Sequence, residues 1–142
     1  MSMGTTVSVI GAGSWGTTLA NILGENGNRT LLWARDKARV NEINGKHTNA
    51  RYLPGFELSP NITATTDLQR ACEHSRWILL VVPSHGLREA ARSMGEHLSG
   101  EHMIVHATKG IEQGSFQRMS SVIRQETCVR KIGVLCGPNL SK

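Results

Sequence analysis

With 142 residues, 39% of them hydrophobic, and a mean hydropathy of −0.24, the chain suits one compact domain around a single core. No apolar run approaches the roughly 20 residues that cross a bilayer, and residues 1–4 lack the basic and apolar regions of a secretory signal. No membrane insertion is predicted, and a cytoplasmic protein is expected. Sixteen Lys and Arg against eleven Asp and Glu give a net charge of +5 and a pI near 9.6, a balance that favours anionic ligands. The basic residues form no run and few aromatics accompany them, so no nucleic-acid partner is expected.

Thr5–Ile10 is a β-branched run that stops at glycine, which predicts a buried strand. Trp15 to Asn26 follows as a helix with Leu19, Ile22 and Leu23 on its inner face, closed by Asn26-Gly27. Thr30–Trp33 is the next strand, and these three pieces have the length of a βαβ unit. Asp36 to Asn44 predicts a short helix with Val40 and Ile43 inward. Gly45 to Thr65 carries Pro54, Gly55 and Pro60 and predicts a long irregular segment.

Thr66-Asp67 would cap a short helix through Leu68, Ala71 and Cys72. Trp77–Val82 is continuously apolar, as a parallel strand covered on both faces must be, and Pro83 ends it. Leu87, Ala91, Met94 and Leu98 then fall at helical spacing. Met103–His106 is a further strand, Phe116, Met119, Val122 and Ile123 mark another helix, and Ile132–Cys136 is a last strand that breaks at Gly137-Pro138. This alternation predicts an α/β fold with a doubly wound, mainly parallel sheet, a Rossmann-like dinucleotide-binding domain over residues 1–142. Cys72, Cys128 and Cys136 form no metal-spaced pair and are expected as buried free thiols; no HExxH pair is present, and no metal site is predicted.

The strongest local signal is Gly11-Ala12-Gly13-Ser14-Trp15-Gly16. In the dinucleotide fingerprint the first glycine permits a tight turn, the second lets backbone approach a diphosphate, and the third brings helix and sheet together. The helix N-terminus adds unpaired N–H groups, here from Ser14 and Trp15, and the positive end of its dipole. GxGxxG alone also fits a turn with no ligand. Its place between an apolar strand and an amphipathic helix supports the nucleotide reading, with NAD or NADP as cofactor.

A carboxylate usually follows about 20 residues on, holding the adenosine ribose. Here Arg35 occupies that place and Asp36 comes slightly late. An arginine there pairs with a 2′-phosphate, which tilts the expectation toward NADP or toward use of both cofactors, although the two residues also read as a solvated pair. At the other strand ends, Pro83, Ser84 and His85 lie where a dinucleotide would pass, with His85 equally readable as a surface residue capping a helix. Lys109 sits beside Gly110, where it would hold a phosphate or simply be solvated, and Gly137–Lys142 offers amides at the same edge.

These segments together resemble the N-terminal domain of bacterial NAD(P)-dependent sn-glycerol-3-phosphate dehydrogenases. The resemblance runs through residues 9–17 and 32–36, Asn49-Ala50-Arg51-Tyr52-Leu53-Pro54-Gly55, Val81–His85, Ala107–Glu112 and Gly137–Lys142. It implies that Ser14, Trp15, Arg35, Tyr52, Pro83 and Ser141 join Gly11, Gly13 and Gly16 at the cofactor. Lys109 would serve both cofactor and substrate, with Gly137 and Asn139 at the substrate.

The implied reaction is hydride transfer between the nicotinamide and dihydroxyacetone phosphate or sn-glycerol 3-phosphate, for glycerophospholipid synthesis. A small-molecule phosphate is thus the expected substrate, and a homodimer is expected for the full-length protein. Asn139-Leu140-Ser141 departs from the family's usual pattern. The family's principal catalytic lysine lies in a C-terminal helical substrate domain, expected beyond Lys142, so this chain is expected to hold no catalytic residue and to bind dinucleotide without turnover. A stand-alone nucleotide-binding module, or another Rossmann reductase with a different substrate, remains as the alternative.

Overall fold

The computed structural model describes residues 4–136. Six strands and five helices alternate among them: β1 (Thr6–Ile10), α1 (Ser14–Glu25), β2 (Arg29–Trp33), α2 (Lys37–Lys46), β3 (Ile62–Thr65), α3 (Leu68–His74), β4 (Trp77–Leu80), α4 (Ser84–Gly95), β5 (Met103–His106), α5 (Met119–Glu126) and β6 (Lys131–Val134). Every strand pairing is parallel, in the order β3-β2-β1-β4-β5-β6. This is the doubly wound arrangement the alternation predicts.

Neighbouring residues on a strand face opposite sides, so a sheet covered on both faces splits its apolar residues between two cores. Ile10, Leu31, Ile78 and Leu80 pack with Leu87 and Met94 of α4 and Val122 and Ile123 of α5. Val9 and Leu32 pack on the other face with Ala20 of α1 and Val40 and Ile43 of α2. Ser8, buried in β1, satisfies its hydroxyl by donating 2.6 Å to the Ala71 carbonyl of α3.

The inner face of α1 is not the one expected. Gly16, Thr17, Ala20 and Gly24 are buried, Leu19 and Leu23 lie half-buried, and Ile22 is 47% exposed. Small residues at this spacing let the helix settle against the sheet and turn its longer side chains outward. A Cβ on Gly24 would already stand 2.9 Å from Ser59. Trp77 also faces solvent and β4 ends at Leu80, so the apolar run 77–82 is covered unevenly rather than throughout. Phe116 is no part of α5. It stands 75% exposed at positive φ, one turn before the helix begins.

The segment Gly45–Thr65 is irregular only in part. Its end forms β3, which the sequence reading missed, at the free edge of the sheet. The Asn44 side chain bonds both the carbonyl and the N–H of Ala64, at 3.0 and 2.8 Å, as a neighbouring strand would. Upstream of β3, the loop is tied to α1 by Ser59 N–H donating to Asn21 and Asn61 donating to the Gly24 carbonyl.

Of the cysteines, only Cys72 is buried; Cys128 and Cys136 are exposed, against expectation. Burial pushes the Cys72 thiol up to about 12, with a further contribution from Glu73. Thiol titration with a disulfide reagent at neutral pH should therefore consume two equivalents promptly and the third only after denaturation. Three fast equivalents would contradict this packing. Among the described residues no helix is long and apolar enough to cross a membrane, and no cluster of potential metal ligands occurs.

Candidate functional site

After β1 the chain enters α1 on one face of the sheet, and after β4 it enters α4 on the other. Helices leaving adjacent parallel strands toward opposite faces open a crevice at the strands' carboxyl ends, where α/β sheets receive ligands. The turn 11–16 stands at this crevice. It is fixed from both sides: Gly11 N–H donates to Trp33 of β2 and Val81 N–H to Ile10 of β1.

The three glycines meet different demands. Gly11 has φ +119, and a Cβ there would collide with the Val81 carbonyl oxygen. Gly16 is buried, and a Cβ on it would strike the Gly11 carbonyl. Both are required by the fold. Gly13, at the N-cap of α1, has an ordinary φ of −76, and nothing approaches within 4 Å of where its Cβ would be. That space is open, and α1 has no side-chain cap and no acidic residue in its first turn. Uncapped amides with the positive dipole end behind them, beside a cleared volume, suit a diphosphate.

Ser14 and Trp15 are exposed there. The Ser14 hydroxyl donates 3.1 Å to the Tyr52 carbonyl, joining the turn to the loop after α2. The Tyr52 ring lies under two guanidinium groups, Arg39 at 4.5 Å and Arg51 at 5.4 Å from its centroid. Glu42 holds the loop from below, accepting from Ala50 N–H at 2.7 Å and Thr48 at 2.9 Å, and these two bonds lower its pKa.

Asp36 is committed elsewhere: it caps α2 by accepting from Ala38 N–H at 2.9 Å and faces Arg39 at 3.9 Å. Arg35 is exposed and has no ion pair among the described residues. Sequence reasoning assigned no role to Arg39, nor to Asn49 beyond its place in one of the segments that carry the resemblance. Arg39 carries a legible signal, since it stands three residues after Asp36 on the helix that the aspartate caps. Asn49 is wholly buried, and its side-chain NH2 donates to the Ala12 carbonyl at 3.2 Å and to Thr17 Oγ1 at 2.9 Å. No motif of spacing announces it.

On the other side of the crevice, Pro83 is the N-cap of α4, His85 is exposed on its first turn, and Thr108 bonds the Val82 carbonyl at 2.6 Å. Lys109 is exposed beside Gly110 and lines a cavity of about 510 Å³ with His106, Arg118, Ser120 and Leu135. Burial holds the His106 imidazole below its ordinary pKa, only partly offset by a bond to the Thr108 backbone.

The Lys109 loop is anchored through Glu112, which takes two bonds from Arg88 of α4, at 2.7 and 2.8 Å. Arg88 also donates 2.6 Å to Glu126 of α5. Hydrogen bonds from Arg88, then Ser115, hold the Glu112 carboxyl down to about 2, against an ordinary 4.5. A carboxylate depressed in the folded state contributes stability above its unfolded pKa and loses it as pH falls through the folded one. The melting temperature should thus fall between pH 4.5 and about 2, and Glu112→Gln should flatten part of that fall. Equal slopes for variant and parent would show the pair to be inert. Gly137, Asn139 and Ser141 lie outside the described residues.

The residues brought together are thus Gly11, Gly13, Ser14, Trp15 and Gly16 with Tyr52 on one side of the crevice and Pro83 on the other, while Lys109 lies one strand further on, in the cavity at the ends of β5 and β6. A family model for the NAD-dependent glycerol-3-phosphate dehydrogenase N-terminus matches residues 6–142. The chain belongs to that family. The chain is 41% identical over 139 residues to glycerol-3-phosphate dehydrogenase [NAD(P)+] of Limosilactobacillus reuteri, covering 94% of this chain and 41% of that protein. It is 44% identical over 136 residues to the enzyme of the same name from Enterococcus faecalis, covering 94% of this chain and 40% of that one.

Among solved structures it resembles glycerol-3-phosphate dehydrogenase from Coxiella burnetii, with a TM-score of 0.89, 32% identity, and coverage of 98% of this chain and 42% of that one. The Plasmodium falciparum enzyme gives 0.87 and 26%, covering 96% and 42%. The chain spans about two fifths of the length of the curated relatives it matches.

Proposed function

We propose that this chain is the coenzyme-binding domain of an NAD(P)-dependent glycerol-3-phosphate dehydrogenase. It would present the dinucleotide for hydride transfer with dihydroxyacetone phosphate or sn-glycerol 3-phosphate, in the service of glycerophospholipid synthesis. The observation that carries this reading is the pairing of open space over Gly13 with the uncapped first turn of α1, at the crevice between β1 and β4. The amides of Ser14 and Trp15 would hold the diphosphate, Arg35 and the Tyr52 loop the adenosine end, and Pro83 and Ser141 the nicotinamide end.

The nicotinamide supplies the hydride chemistry when bound. The chain's own part is to fix that ring's position and to gather charge where a phosphate would lie. Lys109 would serve as a point charge for the substrate phosphate, and Gly137 and Asn139 would contact the same substrate. Glu112 and Arg88 hold the loop that delivers Lys109. The catalytic lysine belongs to a helical domain beyond Lys142, and the enzyme works as a cytoplasmic homodimer.

Calorimetric titration of the chain with NADH and NADPH in parallel tests the proposal. Saturable 1:1 binding without glycerol-3-phosphate-dependent reduction of NAD(P) is expected. Heats at the level of dilution for both nucleotides would reject the coenzyme role, and turnover by the chain alone would reject the placing of the lysine.

A further inference from the structure

The backbone of a dinucleotide turn must present its N–H groups outward, yet a glycine-rich segment has the freedom to point them elsewhere. Something has to choose the orientation. At this turn the choice is made by a side chain from a different part of the sequence. Asn49 lies in the loop after α2, fully buried, and its NH2 donates to the Ala12 carbonyl at 3.2 Å and to Thr17 Oγ1 at 2.9 Å.

The amide cannot be turned over without loss, because its oxygen would then face the Ala12 carbonyl oxygen, acceptor against acceptor. In the orientation present, Asn49 Oδ1 is buried without a partner. An unsatisfied buried oxygen is costly, so the two donated bonds hold this orientation against a penalty.

No cis peptide bond occurs among the described residues, and in a trans peptide the C=O and the following N–H point to opposite sides. Holding the Ala12 carbonyl against Asn49 therefore turns the Gly13 N–H away from Asn49, and no acceptor takes that N–H among the described residues. Asn49 is also the hinge of its own loop. Its carbonyl accepts from Tyr52 N–H at 3.2 Å and Leu53 N–H at 2.8 Å, and Tyr52 in turn receives the Ser14 hydroxyl.

We propose that Asn49 is a positioning residue for the dinucleotide, aiming the Gly13 N–H at the diphosphate and setting the Tyr52 loop against the same turn. The proposal rests on the coenzyme role argued above. It assigns Asn49 no direct contact with the cofactor.

Amide correlation spectra of the 15N-labelled chain, titrated with NADPH, test it. In the parent chain the Gly13 amide should shift on saturation together with those of Ser14 and Trp15. Asn49→Ala should keep a dispersed, folded spectrum, displace the free Gly13 resonance, and weaken NADPH binding about tenfold. Asn49→Asp preserves shape but sets a carboxylate against the Ala12 carbonyl, and it carries the same expectation should the alanine variant not fold.

Val122→Ala, in the core under α5, separates positioning from mere stability: it should lower the melting temperature and leave the affinity within about twofold. Parent chain that binds NADPH with its Gly13 amide unmoved would overturn the inference. So would an Asn49 variant binding like the parent, or Val122→Ala weakening binding equally. Failure of the parent chain to bind any dinucleotide would instead sink the coenzyme role, and this inference with it.

Discussion

Gly13→Val should leave the fold standing and remove dinucleotide binding, while Gly11→Ala and Gly16→Ala should do the reverse damage first. The difference lies in what a new Cβ meets. At position 13 it meets nothing within 4 Å, and the backbone there, at φ −76 and ψ −169, suits any residue. The loss of stability should stay within about 1 kcal/mol, the scale of exchanging one N-cap residue for a poorer one. The valine methyl groups would occupy the volume assigned to the diphosphate, so affinity for NADH and NADPH should fall by at least about 100-fold, or ~2.7 kcal/mol.

At position 11 the same small addition collides with the Val81 carbonyl and must also adopt φ +119. Backbone strain of that kind costs about 1–3 kcal/mol before any collision is counted. Gly16→Ala would push α1 away from the turn, since its Cβ is blocked by the Gly11 carbonyl. Thermal melts beside calorimetry on the three variants check the pattern. A Gly13→Val variant that binds normally would remove the diphosphate from this turn, and a Gly11→Ala variant as stable as the parent would contradict the geometry of the bend.

The second large effect concerns the choice between NADH and NADPH. Asp36, the carboxylate that follows β2 in the chain, is taken up by the α2 cap and by Arg39. A carboxylate engaged in this way is poorly placed to accept from a ribose diol. It also repels a 2′-phosphate less than a free one would, because a guanidinium stands over it. Arg35, next to it, is exposed. NADPH should therefore bind more tightly than NADH.

Arg35→Ala should cost NADPH about 10- to 100-fold, the scale of one or two charge-assisted hydrogen bonds, and NADH no more than about threefold. The NADPH loss should shrink with added salt, as for any exposed charge pair. Parallel titrations at two ionic strengths measure all of this. Equal losses for both nucleotides would make Arg35 a stacking surface rather than the partner of a phosphate.

Much of the architecture was legible because parallel strands covered by helices have few disguises. Val7–Ile10, Leu31–Trp33, Ile78–Leu80 and Met103–His106 are short, mostly apolar runs, and helical spacing found the buried Leu87, Ala91 and Met94 of α4. What misled was burial by small residues. Hydrophobic spacing points to Leu19, Ile22 and Leu23, but α1 approaches the sheet through Gly16, Ala20 and Gly24, and contact that close turns Ile22 out. β3 escaped notice because Ile62–Thr65 holds a single large apolar residue, Ile62, and follows Pro60. Its free edge is completed by Asn44, a partner no strand pattern reveals.

The same division runs through the site. The turn 11–16 is local, so its chemistry can be read from adjacent residues. The hold of Asn49 on Ala12 spans 37 residues and depends on a loop whose path only the folded chain defines. The anchoring of Lys109 by Arg88 through Glu112 is likewise invisible until α4 and the loop are brought together.

The most direct measurement is a crystal structure of the chain with NADPH bound. The diphosphate oxygens should lie within hydrogen-bond distance, about 2.7–3.2 Å, of the Ser14 and Trp15 amides, over the open side of Gly13. A dinucleotide found elsewhere on the molecule, with the first turn of α1 left bare, would contradict the account at its root.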